Sequence, residues 1–384
     1  MASIRAVKFS EYRSGTFQKQ FQYRSFQPTP VNHPWTWDEP DVHTLLADAN
    51  RRLGELNAFS LIVPDVDRFI TMHVVKEAQS SSRIEGTQTS IEEAAETRAA
   101  GIDPERRDDW LEVRNYVAAM NTAVRQLSEL PLSNRLLCET HGILLQSGRG
   151  KMKQPGEFRR SQNWIGGASL ADAAFVPPHH EAVPELMGDL EKFWHNEEIA
   201  VPELIRAAIS HYQFETIHPF LDGNGRVGRL TITLYLVNRG LLAKPSLYLS
   251  AHFEKHRAAY YDALMRVRTA HDLVGWVRFF LVGVSETARH GVEVFQAILK
   301  LRAELDARID ALGRRAPSAR ALLTHLYQTP VLGGVGLGAA LQFSQPTADR
   351  LIQTFLAEGL LVEMTGARRD RIFAFEPYLA LFRG

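Results

Sequence analysis

His218-Pro219-Phe220-Leu221-Asp222-Gly223-Asn224-Gly225-Arg226-Val227-Gly228-Arg229 is the stretch on which the reading of this chain turns. Gly223-Asn224-Gly225 leaves the backbone free to turn its N–H groups inward just before a helix, and free amides plus the helix dipole make such a turn an anion site. Arg226 and Arg229 lie three apart on the first turn of that helix and share a face. Two guanidinium forks beside the amides suit a polyphosphate better than a single carboxylate. Asp222 would repel phosphate unless a cation lies between them, and Mg²⁺ binds in that manner, through one carboxylate plus phosphate oxygens. His218, four residues earlier, is a neutral base at physiological pH, placed to take a proton from an attacking hydroxyl. Each feature alone is more often structural: a turn, a histidine before proline, a solvated arginine pair. Their order within one short window is what points to chemistry.

The bulk numbers bound the alternatives. At 384 residues, 45% of them hydrophobic and 23% charged, the chain can bury two or three separate cores. Lys plus Arg and Asp plus Glu both total 44, so no global field steers it to nucleic acid or an anionic membrane. The single cysteine, Cys138, builds neither a disulfide nor a thiolate metal site, and fits a cytoplasmic location. Met1 to Gln27 carries scattered charges and reads as no signal peptide, and no apolar run is long enough to span a membrane.

Periodicity predicts a mainly α protein. Residues 1–110 read as an extended, proline-punctuated arm followed by helices from Asp41, from about Asp65 to Ser80, and from Ile91 to Ala100. Between the last two lies a short piece, Ser81 to Glu85, stopped by Gly86; Ser90 and Glu93 form a capping box. Residues 111–312 read as a helical body: Asp108–Glu129, Ser133–Leu145, Val183–His195, Pro202–Ile217, Arg226–Asn238, Phe253–Thr269 and Leu273–Leu305. The segment from Gly148 to Pro178 interrupts it as a loop with a small hairpin. A linker at Gly313-Arg314-Arg315-Ala316-Pro317 leads into residues 316–384. There, helices Ser318–Tyr327 and Ser344–Glu358 precede two short strands within Leu360–Phe375, joined by a turn holding Gly366, Arg368, Arg369 and Arg371. Two helices and a basic-tipped hairpin form a winged helix-turn-helix pattern.

Residues 218–229 match the Fic family signature H-x-F-x-(D/E)-G-N-G-R-x-x-R at every defined position. The chain also resembles that family at Pro34-Trp35, from Lys76-Glu77-Ala78 to Gly86, at Gly156-Glu157-Phe158-Arg159 and at Tyr260-Tyr261, covering most of residues 30–290. The winged tail resembles one found in a bacterial branch. The resemblance implies a Fic-type helical core with a β-hairpin flap, and a protein adenylyltransferase that moves AMP from ATP to a Ser, Thr or Tyr hydroxyl of a target protein or of itself. It implies His218 as the base and Asp222 as the Mg²⁺ ligand. Gly223, Asn224 and Gly225 would cradle phosphate, including through the Asn224 side chain. Arg226 would meet the β-phosphate region and Arg229 the γ-phosphate, with Val227 and Gly228 between them. The flap, about Gln162 to Pro178, would pair with an extended target segment, with Ala174 and Phe175 nearest the nucleotide and Tyr260 and Tyr261 near the adenosine.

Many members carry an inhibitory helix of pattern (S/T)-x-x-x-E-(G/N). Ser81-Ser82-Arg83-Ile84-Glu85-Gly86 fits, and so does Thr354-Phe355-Leu356-Ala357-Glu358-Gly359, where Gly359 is explained as a helix C-cap. The flanking residues favour Ser81 and Glu85 as the inhibitory pair, with Glu85 taking Arg229 away from the γ-phosphate. Three alternatives stay open: removal of AMP from a modified protein by Glu85, transfer of another group such as UMP or phosphocholine, and a nucleotide-sensing DNA-binding regulator without turnover. Residues 318–384 hold six basic and five acidic side chains, thin for DNA affinity. Ser344, Gln345, Thr347 and Arg350 could still face a groove, or the module could dock a protein. A homodimer is also open.

Overall fold

The computed structural model describes residues 6–98, 102–334, 337–366 and 370–383. The N-terminal arm is more ordered than an extended strap. β1 (Val7–Lys8), β2 (Gly15–Lys19), β3 (Arg24–Pro28) and β4 (Trp35–Thr36) form two small sheets, β1 parallel to β4 and β2 antiparallel to β3. The arm's aromatics explain the order: Phe9, Tyr12 and Trp35 pack ring on ring in the core.

Eleven helices among the described residues then build the body: α1 (Pro40–Ile62), α2 (Val66–Ile84), α3 (Ile91–Ala95), α4 (Arg107–Gln126), α5 (Asn134–Leu144), α6 (Val183–His195), α7 (Glu203–Ile217), α8 (Asn224–Asn238), α9 (Ser250–Lys255), α10 (Arg257–Ala270) and α11 (Leu273–Asp310). The expected piece at Ser81–Glu85 is not separate: it is the last turn of α2, which ends at Gly86 with φ +107°. The Ser90–Glu93 capping box is present, but α3 stops at Ala95, and Ala99 and Ala100 lie outside the described residues. The single helix expected from Phe253 breaks at His256 into α9 and α10. α7 and α8 are buried almost all round, which is why their amphipathic signal is weak. α1 lies along α11, and α2 is enclosed by α4, α9 and the C-terminal region.

At the C-terminal end the expected linker is a single 3₁₀ turn, Gly313–Arg315, feeding α12 (Ala316–Gln328) directly. β5 (Val331–Gly333), α13 (Leu337–Ala340), α14 (Gln345–Ala357), β6 (Leu361–Glu363), β7 (Ile372–Phe375) and α15 (Glu376–Leu379) complete the chain, with a sheet of order β5-β7-β6. The order α12-β5-α13-α14-β6-β7, with the three strands in one sheet, is consistent with the expected winged helix, although β5 and α13 escaped the sequence reading. Arg368 and Arg369 of the expected wing lie outside the described residues. Ser344, Gln345 and Arg350 are exposed and Thr347 half-buried on α14. Among the described residues no helix is long and apolar enough to cross a membrane.

Candidate active site

α7 ends because His218 adopts a left-handed conformation, φ 52° and ψ 60°, which turns the chain out of the helix axis. Such a backbone costs energy in any residue but glycine, so neighbours must hold it. Arg159 does much of this. Its Nε donates to His218 O (2.9 Å), and its Nη2 donates to Pro178 O (2.6 Å) and Ile217 O (3.3 Å). The Asn163 amide donates to His218 O (3.1 Å) and Phe220 O (2.8 Å). One fork and one amide thereby tie the motif loop to both ends of the segment 159–178.

Inside the loop, Asn224 is a brace. Its Oδ1 accepts from Phe220 N–H (2.7 Å) and its Nδ2 donates to Phe220 O (2.8 Å), with 2% of the residue exposed. The Asn224 side chain thus braces Phe220 at both ends, with one Nδ2–H left over beside the backbone amides that the turn offers an anion. Gly223 has φ +72°, at the N-cap of α8. His141 supports the turn from α5: its Nε2–H donates to Asp222 O (3.1 Å), its Nδ1 accepts from Gly156 N–H (2.9 Å), and its ring stacks on Phe220. Burial holds its pKa down at about 4, which keeps this neutral tautomer.

His218 itself is neutral. Burial, with Arg268 and Arg159 nearby, pushes its pKa down to about 3, and no described residue partners its Nδ1. The Glu215 carboxylate stands 4.0 Å from that nitrogen, buried and with its own pKa pushed up to about 7 by desolvation. Gly228 has no room for a side chain because a Cβ there would collide with Glu215, while Val227 is core. Asp222 keeps 42% of its side chain exposed. One of its oxygens accepts from Gly223 N–H (2.7 Å), and it belongs to no metal-type cluster among the described residues. A lone carboxylate with a free oxygen beside an anion site fits Mg²⁺ shared with phosphate better than an all-protein cage.

Arg226 and Arg229 are buried, and each is met by an acid. Arg226 Nη1 donates to Glu112 (3.0 Å), which also binds Arg149. Arg229 Nε donates to Ser81 Oγ (2.9 Å), and its Nη2 donates to Ser81 O (3.0 Å) and Glu85 Oε1 (2.7 Å). A Cβ on Gly225 would collide with Glu85, so that carboxylate overhangs the amide turn as well as engaging Arg229. Burial raises the Glu85 pKa, but Arg229 more than offsets this and leaves it below the usual range. The second copy of the pattern ends elsewhere: Glu358 pairs with Arg308 at 2.8 Å.

The hairpin expected between Gln162 and Pro178 is reduced to one bridge, Ile165 with Phe175, closed by Gly166 and Gly167 at φ +68° and +73°. Ala174 is exposed, but Phe175 turns inward, 2% exposed, onto the Arg268 guanidinium at 4.0 Å and beside Phe26. It is an anchor of the flap rather than a lining residue. Arg268 in turn donates to Glu215 O (3.0 Å) and Thr216 Oγ1 (3.1 Å). β3 extends the flap, through Phe26 N–H to Val176 O (2.9 Å). Tyr260 is likewise core, its hydroxyl bonded to His211 Nε2 (2.8 Å), whereas Tyr261 stays 39% exposed. Glu112, His141, Glu215 and Arg268 carried no sequence signal; Arg159 and Asn163 lay in segments already marked by resemblance, though neither was singled out.

Comparison with known proteins agrees with this geometry. The chain matches the Fic/DOC family N-terminal model over residues 43–125 and the Fic/DOC family model over residues 131–236. It is 28% identical over 268 residues to the protein adenylyltransferase Fic of Aedes aegypti, covering 67% of this chain and 48% of that protein. To the protein of the same name from Culex quinquefasciatus it is 32% identical over 204 residues, covering 51% and 37%. The chain thus spans less than half the length of these relatives. Among solved structures, a Fic family protein from Desulfovibrio desulfuricans superposes with TM-score 0.56 at 22% identity, covering 89% of this chain and 97% of that one. A Fic domain containing signaling protein from Bacteroides thetaiotaomicron gives 0.52 at 18%, covering 66% and 97%. With the signature loop, both family regions and the fold in agreement, this chain belongs to the Fic/DOC family.

Proposed function

We propose that this protein is a protein adenylyltransferase, moving AMP from ATP to a Ser, Thr or Tyr hydroxyl of a protein, and that Glu85 restrains it. The observation that carries the reading is that a neutral His218, the amide turn at Gly223–Gly225 and two buried arginines stand together in one loop and the helix it opens. His218 takes the proton of the incoming hydroxyl while its oxygen bonds to the α-phosphorus. The bond from that phosphorus to the bridging oxygen breaks, and pyrophosphate leaves with the electron pair. The amides, Arg226 and Arg229 hold the phosphates in line, a fixed arrangement of positive charge that needs no reorganisation during transfer. Asp222 would hold Mg²⁺, which when bound neutralises phosphate charge. Tyr261 is left to border the adenosine, and the flap from Gln162 to Pro178 would receive an extended target segment by strand pairing. Residues 1–110, 111–312 and 316–384 would act as the arm with the brake, the catalytic body and a winged module docking DNA or protein.

Glu85 and Ser81 occupy the donors of Arg229 that a γ-phosphate would need. The test is intact-mass spectrometry of wild type, Glu85→Gly and Glu85→Gly/His218→Ala after incubation with ATP and Mg²⁺, alone and with cell lysate. A gain of one AMP in Glu85→Gly that vanishes in the double variant is expected. Equal labelling of wild type and Glu85→Gly would remove the brake from the proposal, and labelling that survives loss of His218 would remove the mechanism.

A further inference from the structure

α2 has two working faces. Ser81 and Glu85 turn towards Arg229, while His73, Lys76, Ser80 and Arg83, at steps of three and four, line a cavity of about 480 Å³ on the other side. α9, α11, the Ser246–Tyr248 loop and Phe382 close it, and no residue of the His218 loop contributes to it. The volume falls in the range of small-molecule sites.

Its wall is unusually rich in uncommitted polar atoms. His73 Nε2, Ser80 Oγ, Ser246 Oγ and His252 Nε2 are all buried, on residues no more than 8% exposed, and none has a hydrogen-bond partner among the described residues. Buried polar atoms without partners are costly, and four on one cavity mark a surface built to be met. Charge points the same way. Lys76 from α2 and Lys255 from α9 both reach the cavity, and neither forms an ion pair among the described residues. The acids present are engaged: Glu254 with Arg83 (3.0 Å), Glu286 with His252 Nδ1 (3.2 Å), and Glu77 with Tyr116 and Ser250. Hydroxyl donors around two unpaired ammonium groups recognise several oxyanion oxygens at once. His252, His256 and Glu286 could group round a metal ion, but Lys76 and Lys255 line the same wall, while Arg289 there is already paired with Glu293.

We propose that this cavity is a binding site for a small phosphorylated molecule, held by Lys76 and Lys255 and by the hydroxyls of Ser80 and Ser246. The site is separate from the nucleotide cleft and lies on the reverse face of the helix that carries Glu85. Tungstate, a phosphate mimic with strong anomalous scattering, tests it directly in crystals of the full chain. A tungstate peak within hydrogen-bond reach of Lys76 and Lys255 is expected. In solution, Lys76→Met with Lys255→Met should weaken inorganic phosphate binding at this site by about tenfold, read by calorimetry, with an unchanged melting temperature. Lys76→Arg should keep it. Tungstate found only at the His218 loop, or a metal ion bound at His252 in its place, would overturn the proposal, as would phosphate affinity indifferent to both lysines.

Discussion

His218 combines two demands on one residue: a strained backbone and a neutral, nearly enclosed imidazole. Replacing it by alanine keeps the Cβ and so leaves the strained backbone as it is, but should lower AMP transfer by roughly 10²- to 10⁴-fold in the unrestrained Glu85→Gly background, measured as initial rate of label incorporation. Asn224 makes the complementary case. Because both ends of its amide are spent on Phe220, Asn224→Ala should cost about 1–3 kcal/mol of stability by stranding a buried N–H and C=O, visible as a lower denaturation midpoint. No loss of stability would leave that side chain to the phosphate site alone. Sequence exposed the residues whose types are chemically odd in combination, such as His218, Asp222 and the arginine pair. It could not expose Glu112, Glu215 or Arg268. Their partners lie from three to more than a hundred positions away, and nothing in a lone Glu or Arg names its partner.

The last turn of α2 acts as an element rather than as a lone glutamate. Ser81 and Glu85, four apart, present one face to Arg229 through three hydrogen bonds. Glu85→Gly should therefore raise transfer by about 5- to 150-fold, the span of typical coupling energies, and Ser81→Ala should give a smaller gain. Ser81→Ala matching Glu85→Gly would show that the helix position matters and the carboxylate does not. Helix existence was largely legible from period and caps, while ends and breaks were not. The Ser-rich stretch looked like a departure from α2, yet Ser80, Ser81 and Ser82 are buried and stay helical because neighbouring elements enclose them. The flap shows the reverse. Its glycines announced a hairpin, but Phe175 is held by Arg268 from α10, a contact that no local pattern contains.

Across the whole molecule, His73 and His141 have pKa values near 4, and His211 and His218 near 3, all lowered first by burial from 6.5. Between those values and 6.5 the unfolded chain binds more protons, so their stabilisation is present above 6.5 and drains away as pH falls below it. Glu215, raised from 4.5 to about 7, has the opposite sign and loses stabilisation as pH rises through that window. Four groups outweigh one. The melting temperature should fall from pH 7 to pH 5, by calorimetry, and a rise would refute this balance. At this scale the C-terminal region was legible as two helices and a hairpin, whereas its packing against α2 and α11 was not, because the composition shift at Gly313 reads the same for a tight turn as for a tether.

Glu85 is part of the same chain as the arginine it occupies, so it cannot be diluted away from it. A tethered group competes at an effective concentration fixed by geometry, of order millimolar or above for short connections. On the proposed function a soluble nucleotide would have to exceed that standing level, and only one with a third phosphate would have a reason to. If Glu85 is the brake proposed above, the number of copies changes nothing: each brings its own competitor in a ratio of one to one, and the threshold for opening stays the same.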